Sequence, residues 1–303
     1  MPALHDLHWL LSSPSLIAPD HLPAGIADGG AALGKTWWDQ IDKAALRETM
    51  AQHQTHTPFR VGRYAESLMQ AALSHLPGHE LLANQLPVQV DGISLGEYDF
   101  LLRQAAQLLH IELAVKIYVA LPTEQGLCYV GPGLHDALEL KLARLFEHQL
   151  RLSSTPAGRA ALPVDVPVQP MAWLRGWMFY RDDNAEPWPI LASDHLRGWW
   201  RCWGEVLPSR RPDSLWRSLP KPDWLAPRTA NGRALAFDVW AAQAEAHFAQ
   251  SKHPLLVAEY APPAEGGAEL ARGMVLSPDW PDPAWLGKLL DQLARRDKPN
   301  ETR

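Results

Sequence analysis

Residues 95–119 read LGEYDFLLRQAAQLLHIELAVKIYV and contain two apolar runs, each of which carries acidic side chains. Side chains two positions apart lie on the same face of an extended strand. In the first run, Glu97 and Asp99 therefore share one face, and Tyr98 and Phe100 share the other. This alternation predicts a strand with an acidic face and an apolar face.

The second run places Glu112, Ala114 and Lys116 on one face by the same count. A short turn at residues 103–107 would make the two runs neighbours in a sheet, and Asp91-Gly92 predicts a hairpin turn into the first run. Three carboxylates and one ammonium would then converge at one end of the sheet. Such a cluster is costly to bury without a purpose, so these residues are the first candidates for a functional site.

The motif GEYDFLL followed by IELAVK resembles two core strands of the PD-(D/E)XK superfamily of metal-dependent nucleases. It is similar to the G-E-hydrophobic-D and E-V-K strands of Holliday-junction-resolvase-like members, and to a bacterial family of unknown function that shares the ELAVK variant. One position departs from the superfamily pattern, because Ala114 stands two residues before Lys116, where a second carboxylate is usual. Either Glu112 has taken over that ligand role, or metal binding has been lost.

The resemblance implies an α/β fold, with a restriction-endonuclease-like mixed-sheet core in the order αβββαβ. It covers roughly residues 55–180, which we expect to form the nuclease-like core domain. Residues 1–54 would form an N-terminal helical extension, and residues 181–303 an additional α+β region rich in tryptophan.

Elements of the expected core can be assigned on both sides of the acidic runs. Residues 59–76 have apolar side chains close to helical spacing and carry Glu66. Residues 80–91 predict the first core strand, residues 134–150 a crossover helix, and residues 171–180 the last core strand. Glu66 is either presented to the metal site, as the preceding helix of the superfamily often does, or solvated on the polar face of its helix.

The resemblance also implies roles for the acidic cluster in phosphodiester hydrolysis. Asp99 would be the central metal ligand, Glu112 the displaced second ligand, and Glu66 an outer or second-metal ligand. Lys116 would orient the attacking water or stabilise the developing charge, and Glu97 would be a structural partner for an arginine. Oxygen ligands of this kind suit Mg²⁺ or Mn²⁺.

The crossover helix carries a basic stripe that could face DNA phosphates. Lys141, Arg144 and His148 recur at helical spacing, and Gln149 is a further candidate because superfamily members often carry a polar residue on this helix. The alternative is that these bases and the nearby glutamates form a solvated helix face.

The C-terminal part of the chain is rich in tryptophan and arginine. Of the 14 tryptophans, 11 lie from Trp173 onward, and residues 197–233 contain eight Arg or Lys against three acids. Aromatic rings among basic side chains could stack on the bases of a single strand. Alternatively, the tryptophans knit a small lobe together while the arginines lie over their faces.

The composition narrows the class of protein. A chain of 303 residues with 47% hydrophobic residues can bury a sizeable core, and its net charge of −6 argues against a generally basic coat for nucleic acid. Cys128 and Cys202 lie far apart, which favours a reduced, cytoplasmic protein without a disulfide framework. No apolar run approaches the roughly 18 residues that span a bilayer, so we expect no membrane partner.

Three functions remain open from the sequence. The leading hypothesis is a metal-dependent nuclease that acts on DNA. The main alternative is a catalytically degenerate nuclease fold that binds nucleic acid or another protein, because Ala114 removes the standard ligand. A scaffold whose acidic strands are paired internally is the third. The sequence leaves the oligomeric state undefined.

Overall fold

The structure, a computed structural model, describes residues 2–52, 60–124, 126–181 and 185–296. It has the mixed α/β architecture that the sequence predicts, with a large mixed sheet. Within the described residues, no helix is both long and apolar enough to span a bilayer.

The chain divides into two compact units. The first comprises Met1–Lys116, Leu142–Gly176 and Pro189–His195. The second comprises Ile117–Lys141, Trp177–Trp188 and Leu196–Arg303. The predicted boundary between residues 54 and 55 falls in residues 53–59, outside the described ranges, and the predicted domain limits stay predictions.

The first unit contains five complete α-helices within the described residues. The α-helices that lie wholly within it are α1 (Pro2–Ser12), α2 (Lys35–Gln40), α3 (Lys43–Gln52), α4 (Val61–Ser74) and α6 (Pro156–Ala161), and α5 (Leu138–Ala143) straddles both units. Two segments, Gly30–Gly34 and Arg144–Gln149, are π-helical. The α4 helix follows its apolar spacing, since Ala65, Leu68, Met69, Ala72 and Leu73 are the buried residues.

Three antiparallel strands carry the predicted acidic runs. They are β2 (His79–Val90), β3 (Ile93–Gln104) and β4 (Gln107–Thr123), paired in that order. The turn between β2 and β3 is made by Asp91 and Gly92, both with positive φ, as predicted. Ala105, also at positive φ, lies in the predicted turn between β3 and β4.

The strand β6 (Val168–Tyr180) neighbours β4, and the short β1 (Ala27–Asp28) pairs in parallel with β6. A strand that was not predicted, β5 (Gly126–Val130), pairs with β4. Both β4 and β6 begin in the first unit and end in the second.

The second unit has its own strands and helices. These are β7 (Leu196–Cys202), β8 (Leu215–Ser218), β9 (Leu255–Tyr260), β10 (Glu269–Leu276), α7 (Phe237–Phe248) and α8 (Pro283–Arg296). The strand order is β6-β7-β10-β9-β8, with β7 parallel to β10 and β9 antiparallel to both of its neighbours. The consecutive strands β9 and β10 therefore form a hairpin.

The tryptophans of the second unit knit its core, which is the structural alternative that the sequence left open. Trp199, Trp216 and Trp240 are buried in one cluster, and the rings of Trp216 and Trp240 stack with centroids 5.2 Å apart. These faces are not available to nucleotide bases.

Arginines of the same unit are also used internally. The buried Arg272 lies 4.8 Å over the ring of Trp177 and bonds to Glu269, while Arg211 pairs with Asp213 and Glu265. The local excess of basic residues is therefore not a free cationic surface at these positions.

A glycine on β6 shows how closely the strands of the first unit approach. A Cβ at Gly176 would lie 1.9 Å from the backbone oxygen of Lys116, whereas a Cβ at Gly62, in α4, meets nothing within 4 Å. We predict that Gly176→Ala lowers the free energy of unfolding by about 2 kcal/mol or more, because the backbone cannot move aside. Gly62→Ala should raise it by about 0.5 kcal/mol. Urea unfolding of both variants checks this, and an equal response would contradict it.

Candidate functional site

The β3–β4 ladder ends one residue before the acidic pair. Its last hydrogen-bonded register joins Phe100 to Ile111. Beyond that point, Asp99 Oδ2 accepts a hydrogen bond from the backbone N–H of Leu113 at 2.9 Å. Glu112 Oε1 in turn accepts one from the backbone N–H of Asp99, at 3.4 Å. The two carboxylates therefore accept backbone N–H groups that carbonyl oxygens of the neighbouring strand would accept in a continuous ladder, at the point where the strands separate.

Strand alternation does not hold through this region as the sequence predicts. Tyr98 and Leu101, three residues apart, belong to the same buried cluster, although a regular strand would place them on opposite faces. The neighbouring strand β2 is also irregular, since Gln85 has a positive φ of 49° and the register with β3 shifts between Leu81 and Ala83 and between Val88 and Gln89. The local irregularity surrounds Asp99.

Glu112 is fully buried within a polar network. Its Oε1 lies 2.9 Å from His110 Nε2, and its Oε2 accepts a hydrogen bond from Gln149 Nε2 at 2.8 Å. On the far side of the ring, His110 Nδ1 lies 3.2 Å from Ser153 Oγ. Gln149 ends the π-helix, a widened helical turn that is frequent at functional sites.

Burial governs the protonation of these groups. Desolvation raises the pKa of Glu112 to about 8, and desolvation together with the charge of Glu112 raises the pKa of Asp99 to about 8. Burial also lowers the pKa of His110 to about 3, so its ring is neutral. The contact between His110 and Glu112 is therefore a hydrogen bond between a carboxyl group and a neutral imidazole rather than an ion pair.

Glu66 reaches the same cluster from α4. Its Oε2 accepts a hydrogen bond from Gln85 Nε2 at 2.9 Å, and burial raises its pKa, an effect that the charge of Arg63 opposes. The charges of Glu97 and Lys116 also act on Glu66. Glu66 is therefore not simply solvated on the polar face of its helix, because its carboxylate is hydrogen-bonded to Gln85 on β2.

Glu97 and Lys116 lie at the edge of the cluster. Glu97 is exposed, and its charge raises the pKa of Asp99, Glu112 and Glu66. Lys116 is half-buried, and its charge lowers the pKa of Glu66. A hydrogen bond links Asp99 to Glu112, whereas Glu66, Glu97 and Lys116 are linked to this pair or to one another through their charges.

The predicted basic stripe is only partly assembled at this site. Arg144 is exposed, and its charge lowers the pKa of Glu112, whereas Gln149 bonds to that carboxylate directly. His148 is exposed in the first unit, and Lys141 belongs to the second unit. The π-helical segment from Arg144 onward also departs from the α-helical spacing on which the stripe was predicted.

Sequence reasoning missed three residues of the network, His110, Ser153 and Gln85. Gln85 has a positive φ of 49°, which is uncommon for a residue other than glycine and is often found at functional sites. His110 lies two positions before Glu112, so strand alternation was a signal that could have found it. Ser153 lies about 40 residues further on, and no local spacing connects it to the site.

Two other catalytic arrangements can be set aside on geometry. The chain Ser153–His110–Glu112 has the connectivity of a hydrolase triad, but Ser153 and His110 are buried, and a nucleophile must be reachable. The pattern G-I-S-L-G at residues 92–96 has the spacing of a nucleophile elbow. It lies in the β2–β3 hairpin, not in a strand-to-helix turn as that motif requires.

The donor set suits a hard divalent ion held by few protein ligands. Asp99 Oδ1 has no hydrogen-bond partner within the described ranges, and Glu112 Oε2 has one. Across those same ranges, no three His, Cys, Asp or Glu side chains are grouped to hold a metal. Mg²⁺ commonly binds through one or two carboxylates and completes its shell with waters and phosphate oxygens, which fits this pair better than a protein cage does.

The fold and the site define a mixed α/β protein with an acidic pair, the half-buried Asp99 and the buried Glu112, where two antiparallel strands diverge. A family model described as a domain of unknown function (DUF1853) matches residues 5–276. The chain therefore belongs to the DUF1853 family. Comparisons with curated proteins and with solved structures found no match.

The raised pKa of Asp99 makes stability depend on pH. Folding favours its neutral form, so the free energy of unfolding falls as pH rises from about 4 through 8. We predict that Asp99→Asn raises the Tm at pH 8 by roughly 3–6 °C, on the order of 1–2 kcal/mol, with little change at pH 4. Thermal unfolding without divalent ions measures this. The exposed Asp165→Asn is the control, and a uniform shift at all pH values would contradict the prediction.

Proposed function

We propose that this chain is a PD-(D/E)XK-like nuclease that hydrolyses DNA phosphodiester bonds with Mg²⁺ or Mn²⁺. The observation that carries the proposal is the reciprocal placement of Asp99 and Glu112 at the point where β3 and β4 separate. Two neighbouring carboxylates in such a position are unfavourable as a pair of buried anions, and a divalent cation would offset that cost.

The order of elements supports the finer fold assignment. In the described residues, α4, β2, β3, β4, α5 and β6 follow in that order, with β5 inserted between β4 and α5 and α6 inserted between α5 and β6. Apart from these insertions, the order agrees with the αβββαβ order of a restriction-endonuclease-like core. The acidic pair lies on the second and third of these strands, where the superfamily places its metal ligands.

The ligands for the ion would be Asp99 Oδ1 and Glu112 Oε2, with Glu66 next to them as an outer ligand. When bound, a divalent ion polarises a phosphate and lowers the pKa of an attacking water. The exposed Glu97 would stay outside the ligand set and act through its charge.

The remaining residues hold and stabilise the substrate. Lys116 supplies an ammonium that can stabilise the charge developing on the phosphate. Arg144 and His148 are exposed and would contact neighbouring DNA phosphates, with Lys141 as a further predicted contact.

A second candidate function is a catalytically degenerate nuclease fold that binds nucleic acid or a protein. Ala114 supplies no carboxylate, and both oxygens of Glu112 already have hydrogen bonds within the protein. This candidate differs from the first in requiring no hydrolysis. The free thiols Cys128 and Cys202 suit either function in the reducing cytoplasm that we propose.

We predict that Mn²⁺ raises the Tm of the parent protein, because an ion that binds only the folded state stabilises it. At 100 times its Kd, the stabilisation is about 2.7 kcal/mol. Asp99→Ala should abolish the Mn²⁺ response, because it removes the main ligand. Thermal shift at constant pH and ionic strength, with CaCl₂ and NaCl for comparison, measures the effect.

We further predict that the parent protein nicks supercoiled DNA in Mn²⁺, while Lys116→Ala loses at least about 100-fold of the rate, as expected for a lost charge-stabilising group. Lys116→Ala should keep its Mn²⁺ thermal shift, which separates loss of chemistry from loss of the ion. A parent protein that binds Mn²⁺ and DNA without cutting either supercoiled or branched DNA would favour the binding module. A protein that responds to neither would contradict both proposals.

A further inference from the structure

The geometry points to His110 as a positioning residue that orients the Glu112 carboxylate for the ion, with Ser153 fixing the ring from behind. This inference rests on the proposed function and adds to it a residue outside the superfamily motif. His110 and Glu112 are two apart on β4, so both side chains leave the strand on the same side.

The imidazole of His110 is held at three points. Its Nε2 lies 2.9 Å from Glu112 Oε1, and its Nδ1 lies 3.2 Å from Ser153 Oγ. The ring of Tyr98 packs against it edge to face, with centroids 4.7 Å apart and planes at 84°. All three neighbours are buried, so the ring has little freedom to turn.

The bonds to Glu112 determine which of its oxygens can meet an ion. A carboxylate has about four lone-pair sites. With the His110 proton on Nε2, His110 and the N–H of Asp99 take two sites on Oε1, and Gln149 takes one on Oε2. Within the described residues this leaves one site on Oε2. His110 therefore fixes the rotation of the carboxyl group so that Oε2 is the oxygen left for a cation.

Position matters here because Ala114 leaves the usual ligand site without a carboxylate. Glu112 must act from two residues further back on the strand, and an unrestrained side chain would lose rotamer freedom on binding the ion. A neighbour that holds a ligand in place is typically worth 10 to 100-fold in metal affinity.

The test is the Mn²⁺ affinity of three variants of the full chain, measured from free Mn²⁺ by electron paramagnetic resonance. His110→Phe keeps the ring and its contact with Tyr98 but removes both nitrogens, and should weaken Mn²⁺ binding by 10-fold or more. His110→Gln can place an amide N–H near the position of Nε2, and should stay within about 3-fold of the parent. Ser153→Ala leaves the ring itself unchanged and should weaken binding by about 3-fold.

The outcomes separate this inference from the proposed function. If the parent does not bind Mn²⁺, the result contradicts both the proposed function and the positioning role of His110. If the parent binds and His110→Phe binds equally well, only the positioning role falls. Equal weakening by His110→Phe and His110→Gln would indicate a packing role and also overturn the inference. If His110→Phe fails to fold by circular dichroism, Ser153→Ala decides, and an unchanged affinity in that variant overturns it.

Discussion

The reciprocal hydrogen bonding of Asp99 and Glu112 is the constraint on which the site depends. Each carboxylate accepts an N–H from the opposite strand at the point where backbone pairing stops. Because ladder partners are replaced by side chains, β3 and β4 can separate without leaving these N–H groups unpaired. The same exchange places two carboxylates side by side in a desolvated region, where they are costly unless they are protonated or neutralised by a cation.

The surrounding residues offset part of the desolvation cost of these carboxylates. Gln149 and the neutral His110 solvate Glu112, Gln85 solvates Glu66, and Lys116 adds a positive charge at the edge. Neutral donors of this kind satisfy oxygens but do not cancel their charge. The cluster therefore keeps raised pKa values, which are the physical basis of the nuclease proposal.

Much of this arrangement could be predicted from local sequence. The two hairpins are predicted by turn residues, which act over short distances: Asp91-Gly92 and the turn before Gln107. The acidic positions on their strands are predicted by two-residue alternation, from the spacing of Glu97, Asp99, Glu112 and Lys116. The irregularity at Asp99 could not be predicted this way, since it depends on the side chain of Glu112 replacing a backbone partner. Ser153 and Gln149 come from a distant segment, so only tertiary packing brings them to the site.

The role of the tryptophans in the second unit could not be predicted from the sequence either. Composition left open whether the rings bind bases or form a core, and burial of Trp199, Trp216 and Trp240 decides for the core. Pairing of Arg211 with Glu265 could not be read from the sequence either, because the two residues lie 54 positions apart. The proposed DNA contacts therefore rest on Arg144, whose charge acts on Glu112, and on the exposed His148.

Anomalous diffraction from crystals soaked in Mn²⁺ tests the central claim most directly, because it locates the ion without relying on activity. The account predicts one peak at about 2.0–2.6 Å from Asp99 Oδ1 and Glu112 Oε2, with His110 still bonded to Oε1. A crystal with Mn²⁺ at other sites only, and with the Asp99 and Glu112 bonds unchanged, would contradict it.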